Sequence, residues 1–97
     1  MAESWKEMIS GLMDEYGDGW DKVEGCAIRS GGNVVTCKDH SEWSRRFDSG
    51  YGLPEGAHFT VWTKRYVYFP VCYDGSEWCG GVPRNVCEVA LSHEGGW

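Results

Sequence analysis

The chain has 97 residues, 41% of them hydrophobic, so one modest core and a single small domain spanning 1–97 are expected. Fifteen acidic against nine basic residues give a net charge of −6, which disfavours direct nucleic-acid binding and favours a basic protein partner. No apolar run approaches the length of a membrane span, and acids stand where a secretory leader would carry bases, so a cytoplasmic location away from the membrane is expected.

Charge and aromatic content are the distinctive features. Residues 1–25 hold seven acids (Glu3, Glu7, Asp14, Glu15, Asp18, Asp21, Glu24) against Lys6 and Lys22. Six Trp, five Tyr and three Phe bring large areas to bury, about 150–250 Å² each.

Ser4-Trp5-Lys6-Glu7 reads as a capping box, with the Ser4 hydroxyl and the Glu7 carboxylate each accepting a backbone N–H. Trp5, Met8, Ile9, Leu12, Met13 and Tyr16 follow on one helical face, and Gly17 is the natural stop. In CAIRSGGNVVTC, a two-residue turn at Gly31-Gly32 pairs Ile28 with Val35 and Cys26 with Cys37, the latter as two buried thiols side by side. Asp39 can cap a short second helix with Glu42, and Trp43 and Phe47 would give it an apolar face. SGYGLPEG (49–56) then reads as a surface loop.

The last third predicts a three-stranded meander: HFTVWT, YVYFPVCY and SEWCGGV, with Asp74-Gly75 as a hairpin turn. That turn sets Val67, Phe69, Val71, Tyr73, Trp78 and Val82 on one face, and Tyr66, Tyr68, Pro70, Cys72, Glu77 and Cys79 on the other. At Lys64-Arg65 two registers stay open. A two-residue loop puts Trp62 on the Val67 face, whereas a three-residue loop puts Phe59 and Val61 there. Pro70 has no N–H, so an edge or a bulge is expected around it. The sum is an α+β fold: an N-terminal amphipathic helix on an antiparallel sheet of about five strands, with a short second helix between strands. The first helix is expected to cover the Val67 face. Tyr66 and Tyr68, with Trp62 or Phe59 according to register, then stand on the far side, either open to a partner or covered by the second helix or by VALSHEGGW.

The motifs of catalysis and metal binding fit poorly. Cys72 and Cys79 lack the C-x₂₋₄-C spacing of zinc sites, and five cysteines in a reducing compartment are expected as free, small apolar residues. DEYGDGWDKVEG has Asp14 and Gly19 where a calcium loop needs them, but Tyr16 and Gly25 where two ligands belong. An enzyme would need His40, His58 or His93 to meet a carboxylate in a cleft. No enzyme activity, cofactor or metal is expected.

The segment FTVWTKRYVYFPVCYDGSEWCGGVPRN, about a third of the chain, resembles the small aromatic sheet modules common in phage and prophage accessory genes, which pack a VYF…YDG…W hairpin against neighbouring strands. The resemblance implies a non-enzymatic, anti-defence type of protein acting in the cytoplasm of a bacterial host. Such proteins inhibit host defence or nucleic-acid-processing proteins by occupying a surface or imitating nucleic-acid charge. On this reading Asp14, Glu15, Asp18, Asp21 and Glu24 would meet lysines and arginines of the partner, and Trp62, Tyr66 and Tyr68 would be the desolvated anchors. The alternative is a sponge for a nucleotide-like molecule, with an aromatic pocket at a homodimer seam and Arg45, Arg46 and Arg65 on its phosphates.

Overall fold

The computed structural model describes residues 2–48, 55–73 and 76–91. A short strand, β1 (Ala2–Ser4), runs straight into the helix α1 (Trp5–Tyr16). A 3-10 turn (Trp20–Lys22) leads to β2 (Val23–Ser30) and β3 (Asn33–Val35). A second 3-10 turn (Ser41–Ser44) and β4 (Arg46–Asp48) precede the meander of β5 (Phe59–Thr63), β6 (Tyr66–Tyr73) and β7 (Ser76–Pro83). The main sheet has five antiparallel strands in the order β3-β2-β5-β6-β7, and β1 and β4 form a separate two-stranded ribbon. Among the described residues no helix is long and apolar enough to cross a membrane.

The capping box forms as expected: Glu7 N–H donates to Ser4 Oγ at 3.2 Å and Ser4 N–H to Glu7 Oε1 at 3.3 Å. Gly17, at φ 69°, ends the helix in the left-handed conformation that glycine adopts without steric cost. Trp5, Ile9 and Met13 are buried, and Met8, Leu12 and Tyr16 pack along the margins of the same core. All six face residues predicted by spacing therefore point inward.

The hairpin register also holds, with Ile28 opposite Val35. The strand stops there, however, so Cys37 is exposed while Cys26 is buried, and both thiols are free. The Cys37 carbonyl accepts the Trp43 indole N–H at 3.1 Å, which ties it to the next turn instead of to β2. The second helix is a single 3-10 turn of four residues. His40 caps it, its Nδ1 accepting the Glu42 N–H at 3.0 Å, in the role expected of Asp39. Phe47 lies outside that turn: β1 offers an edge, and Phe47 pairs with Glu3 in β4 and packs on Trp5 at 5.0 Å between centroids.

In the meander, β6 and β7 pair from Tyr66–Pro83 to Tyr73–Ser76, the register the Asp74-Gly75 signal predicts; those two residues, and 49–54 of the expected loop, lie outside the described residues. Trp62 pairs with Val67 and Val61 with Tyr68, so the Lys64-Arg65 connection is the two-residue one. Pro70 pairs with Cys79 in β7 and sits two residues beyond the β5 ladder, where its missing N–H costs no bond to β5. The register shift in the sheet falls instead between Val23 and Gly25 in β2.

The expectation that α1 covers the Val67 face is overturned. The helix lies on the Tyr66–Tyr68 side, where Phe59, Val61, Thr63, Tyr66, Tyr68 and Cys79 are buried. Gly81 permits the approach: a Cβ there would sit 3.0 Å from the Tyr16 ring, 3.1 Å from Tyr68 and 3.3 Å from Leu12. Polar satisfaction gives the reason for the choice of face. The Tyr68 hydroxyl donates to Asp18 Oδ2 at 2.8 Å and the Thr63 hydroxyl to the same oxygen at 2.6 Å. A tyrosine is buried at little cost when its hydroxyl keeps a partner. The tryptophans on this side follow suit: the indole N–H of Trp5 donates to the Ala57 carbonyl at 3.0 Å, and that of Trp20 to Ser10 Oγ at 2.9 Å.

Candidate functional site

The residues expected to meet a partner divide into three groups. Asp14 and Glu15 are exposed in the last turn of α1, which contains no base, and Asp21 is exposed in the 3-10 turn that follows. Glu24 is exposed at the β2 shift and forms an ion pair with Arg84. These four lie on the surface as the sequence suggested.

Tyr66 and Tyr68 do not, and Asp18 is half-buried. Tyr68 is fully buried and Tyr66 nearly so, so neither ring offers a contact anchor, while Asp18 Oδ2 is the shared acceptor just described and its residue lines a hollow beside Asp21 and Glu24. Asp18 Oδ1 is also buried, without a hydrogen-bond partner among the described residues. Burial, and then the Asp18 carboxylate, push the Tyr68 phenol well above its ordinary pKa. Burial, followed by the neighbouring Cys37, raises the Cys26 thiol as well.

Trp62 stands on the opposite face, 37% exposed. Its ring lies over Gly25 on β2, where a Cβ would come within 3.7 Å of Cε3. On the same side Phe69 and Val71 fill the space above Gly80, within 3.0 Å of where its Cβ would be. Val67, Trp78 and Val82 complete the row, each half-buried. Sequence reasoning put these residues under the helix. The signal that could have corrected it is the pairing of large rings with glycines across neighbouring strands, which fills an outward face without any covering element.

The three arginines considered for phosphate binding are dispersed. Arg45 pairs with Glu42 and donates to the Glu55 carbonyl at 2.9 Å. Arg46 pairs with Glu7 at 3.2 Å and donates to the Ala2 carbonyl. Arg65 stacks over Tyr66 at 5.6 Å. His58 shares a shallow depression with Glu42 and Arg45, while His40 serves as the cap of its turn and His93 lies outside the described residues. Among the described residues no cluster of three or more His, Cys, Asp or Glu could hold a metal ion. A larger hollow of about 480 Å³ opens beside Asp21 and Glu24, lined also by Lys22, Lys64 and Arg65.

Fold and surface thus define a small α+β domain with an acidic helix end on one side and an apolar sheet face on the other. No family model matches the chain, and neither a curated protein nor a solved structure does.

Proposed function

We propose that this chain is a non-enzymatic binding protein that docks on a basic surface of a bacterial host protein, in the manner of a phage-encoded inhibitor. The carrying observation is the uncompensated charge at the C-terminal end of α1. Asp14 and Glu15 sit at the negative pole of the helix, where cations stabilise and anions cost roughly 0.3–1 kcal/mol each. Lys22 donates to the Gly17 carbonyl at 3.2 Å. Asp14, Glu15 and Asp21 form no ion pair among the described residues. Lysines or arginines of a partner would relieve this repulsion, steer the encounter and fix its orientation. The likeness of residues 59–85 to phage accessory modules supports the inhibitor class and the bacterial cytoplasm as its setting. The apolar face around Trp62 is the second contact surface. The nucleotide-sponge reading has less support, because Arg45, Arg46 and Arg65 are engaged in separate places.

Capture from a bacterial lysate tests the reading, comparing the native chain with one carrying Asp14→Lys, Glu15→Lys and Asp21→Lys. A specific partner should be retained at low salt, fall by roughly tenfold or more with the charge reversals, and be released near 0.5 M salt. Retention indifferent to both salt and charge reversal would contradict it.

A further inference from the structure

Two thiols of opposite exposure meet at the open end of the β2–β3 hairpin. Cys26 is buried in β2, whereas Cys37, just past the end of β3, is exposed, and neither is in a disulfide. The register that pairs Ile28 with Val35 extends to set Cys26 opposite Cys37. Cys26 Sγ donates to the Thr36 carbonyl at 3.5 Å, so the chain still runs beside β2 after the ladder ends. That carbonyl oxygen lies about 2.8 Å from the Cys37 Cα across a trans peptide, which holds Cys26 Sγ within about 6.3 Å of that Cα. Rotation of the exposed Cys37 side chain and a small shift of its backbone then bring the two sulfurs to bonding distance. We propose that Cys26 and Cys37 form a thiol–disulfide exchange site: a low-molecular-weight disulfide modifies Cys37, and Cys26 resolves the adduct into an internal cross-link.

Exposure and burial assign the order of events. Cys37 is the one of the pair open to a reagent in solution, so its thiolate attacks one sulfur of the disulfide. The reagent S–S bond breaks, a mixed disulfide forms at Cys37, and the first half of the reagent leaves as thiolate. Cys26 then loses its proton and attacks the Cys37 sulfur, which forms the internal S–S bond and releases the second half. The two protein thiols thereby give up two electrons and two protons, and the reagent disulfide is reduced to two thiols. Burial, followed by the neighbouring Cys37, raises the Cys26 thiol, which keeps it protonated and inert toward solution until a sulfur is delivered to it. On its other side Cys26 meets Val61 in β5. Cys72 and Cys79 belong to β6 and β7, and Cys87 follows them, so the thiol placed against Cys26 is Cys37. The Cys37 carbonyl also accepts the indole N–H of the fully buried Trp43 at 3.1 Å. The cross-link therefore fastens β2 to the segment that seats Trp43 in the core. In a reducing compartment such bonds are transient and report a rise in the disulfide pool. Neither cysteine is among the residues assigned to partner contact, so the site stands apart from the proposed docking.

Titration of the dilute, reduced full chain with oxidised glutathione, read by intact mass and peptide mapping, tests it. The expected product is lighter by about two mass units and yields a peptide pair joined through Cys26 and Cys37, with a glutathione adduct on Cys37 as its precursor. Dithiothreitol should reverse the change. Cys26→Ser should retain glutathione on Cys37 without resolving it, and Cys37→Ser should leave Cys26 unmodified in folded protein. A chain carrying Cys72→Ser and Cys87→Ser should form the cross-link as the native one does. Mapping of the native chain decides the matter even where a variant does not fold. A native chain that keeps glutathione on Cys37 unresolved, that leaves Cys37 unmodified, or that joins Cys26 or Cys37 only to other cysteines would overturn the proposal.

Discussion

Asp18 Oδ2 accepts the hydroxyls of Thr63 and Tyr68, which reach it from neighbouring strands of the sheet. Truncating it leaves two buried hydroxyls without that acceptor, at about 1–3 kcal/mol each. Asp18→Ala is therefore expected to cost about 2–4 kcal/mol in urea unfolding, and Asp18→Asn, which keeps an oxygen in place, clearly less. The same cluster sets an alkaline limit. Native Tyr68 keeps its proton to higher pH than an unfolded tyrosine, which releases it near about 10. The unfolded chain then binds fewer protons than the native one, so stability is full below about pH 10 and falls as pH rises beyond it. Cys26 adds to the fall in the same direction from about 9. Unfolding midpoints between pH 7 and 11.5 should show this decline, and Tyr68→Phe should flatten its upper part. None of this was legible in the sequence, where Asp18 is one acid among seven near the N-terminus. Its role depends on a contact spanning 45 residues to Thr63 and 50 to Tyr68.

Elements were the legible level, because their signals are local. The capping box, the spacing of three and one along α1, the Gly31-Gly32 turn and the Asp74-Gly75 register depend on residues a few positions apart. All are in place, with Asp74 and Gly75 themselves outside the described residues. The short second helix is present as a 3-10 turn, but Phe47 leaves it for the opposite reason: its competing partner is β1, more than forty residues away, which Asp39 and Glu42 cannot announce. Two glycines separate propensity from packing at this scale. Gly11 lies on the exposed side of α1, where an added Cβ would meet nothing within 4 Å, so Gly11→Ala should stabilise by about 0.5–1 kcal/mol. Gly81 faces Tyr16, Tyr68 and Leu12 at 3.0–3.3 Å, so Gly81→Ala should destabilise by about 1–3 kcal/mol as the helix is pushed off the sheet. Thermal unfolding of the two variants should move in opposite directions.

At the scale of the whole molecule, the decisive fact is which face of the sheet the helix covers, and hydrophobicity alone selects the wrong one. Val67, Phe69, Val71 and Val82 are more apolar than Tyr66, Tyr68, Thr63 and Glu77, yet the second set is inside. It is inside because its polar atoms are matched: Tyr68 and Thr63 by Asp18, and Glu77 by the backbone N–H groups of Glu55 and Gly56 at 2.7 and 3.0 Å. A matched polar interior takes Tyr66 and Tyr68 inside and leaves Trp62 on the opposite face, so in the proposed reading the acidic helix end and the Trp62 side are the surfaces that meet a partner. Hydroxyl-radical footprinting read by mass spectrometry tests this division most directly. Tyr68, Trp5 and Trp43 should stay unreactive, and Trp62 should be oxidised. Rapid oxidation of Tyr68 in folded, dilute protein, with Trp62 protected there, would contradict the account.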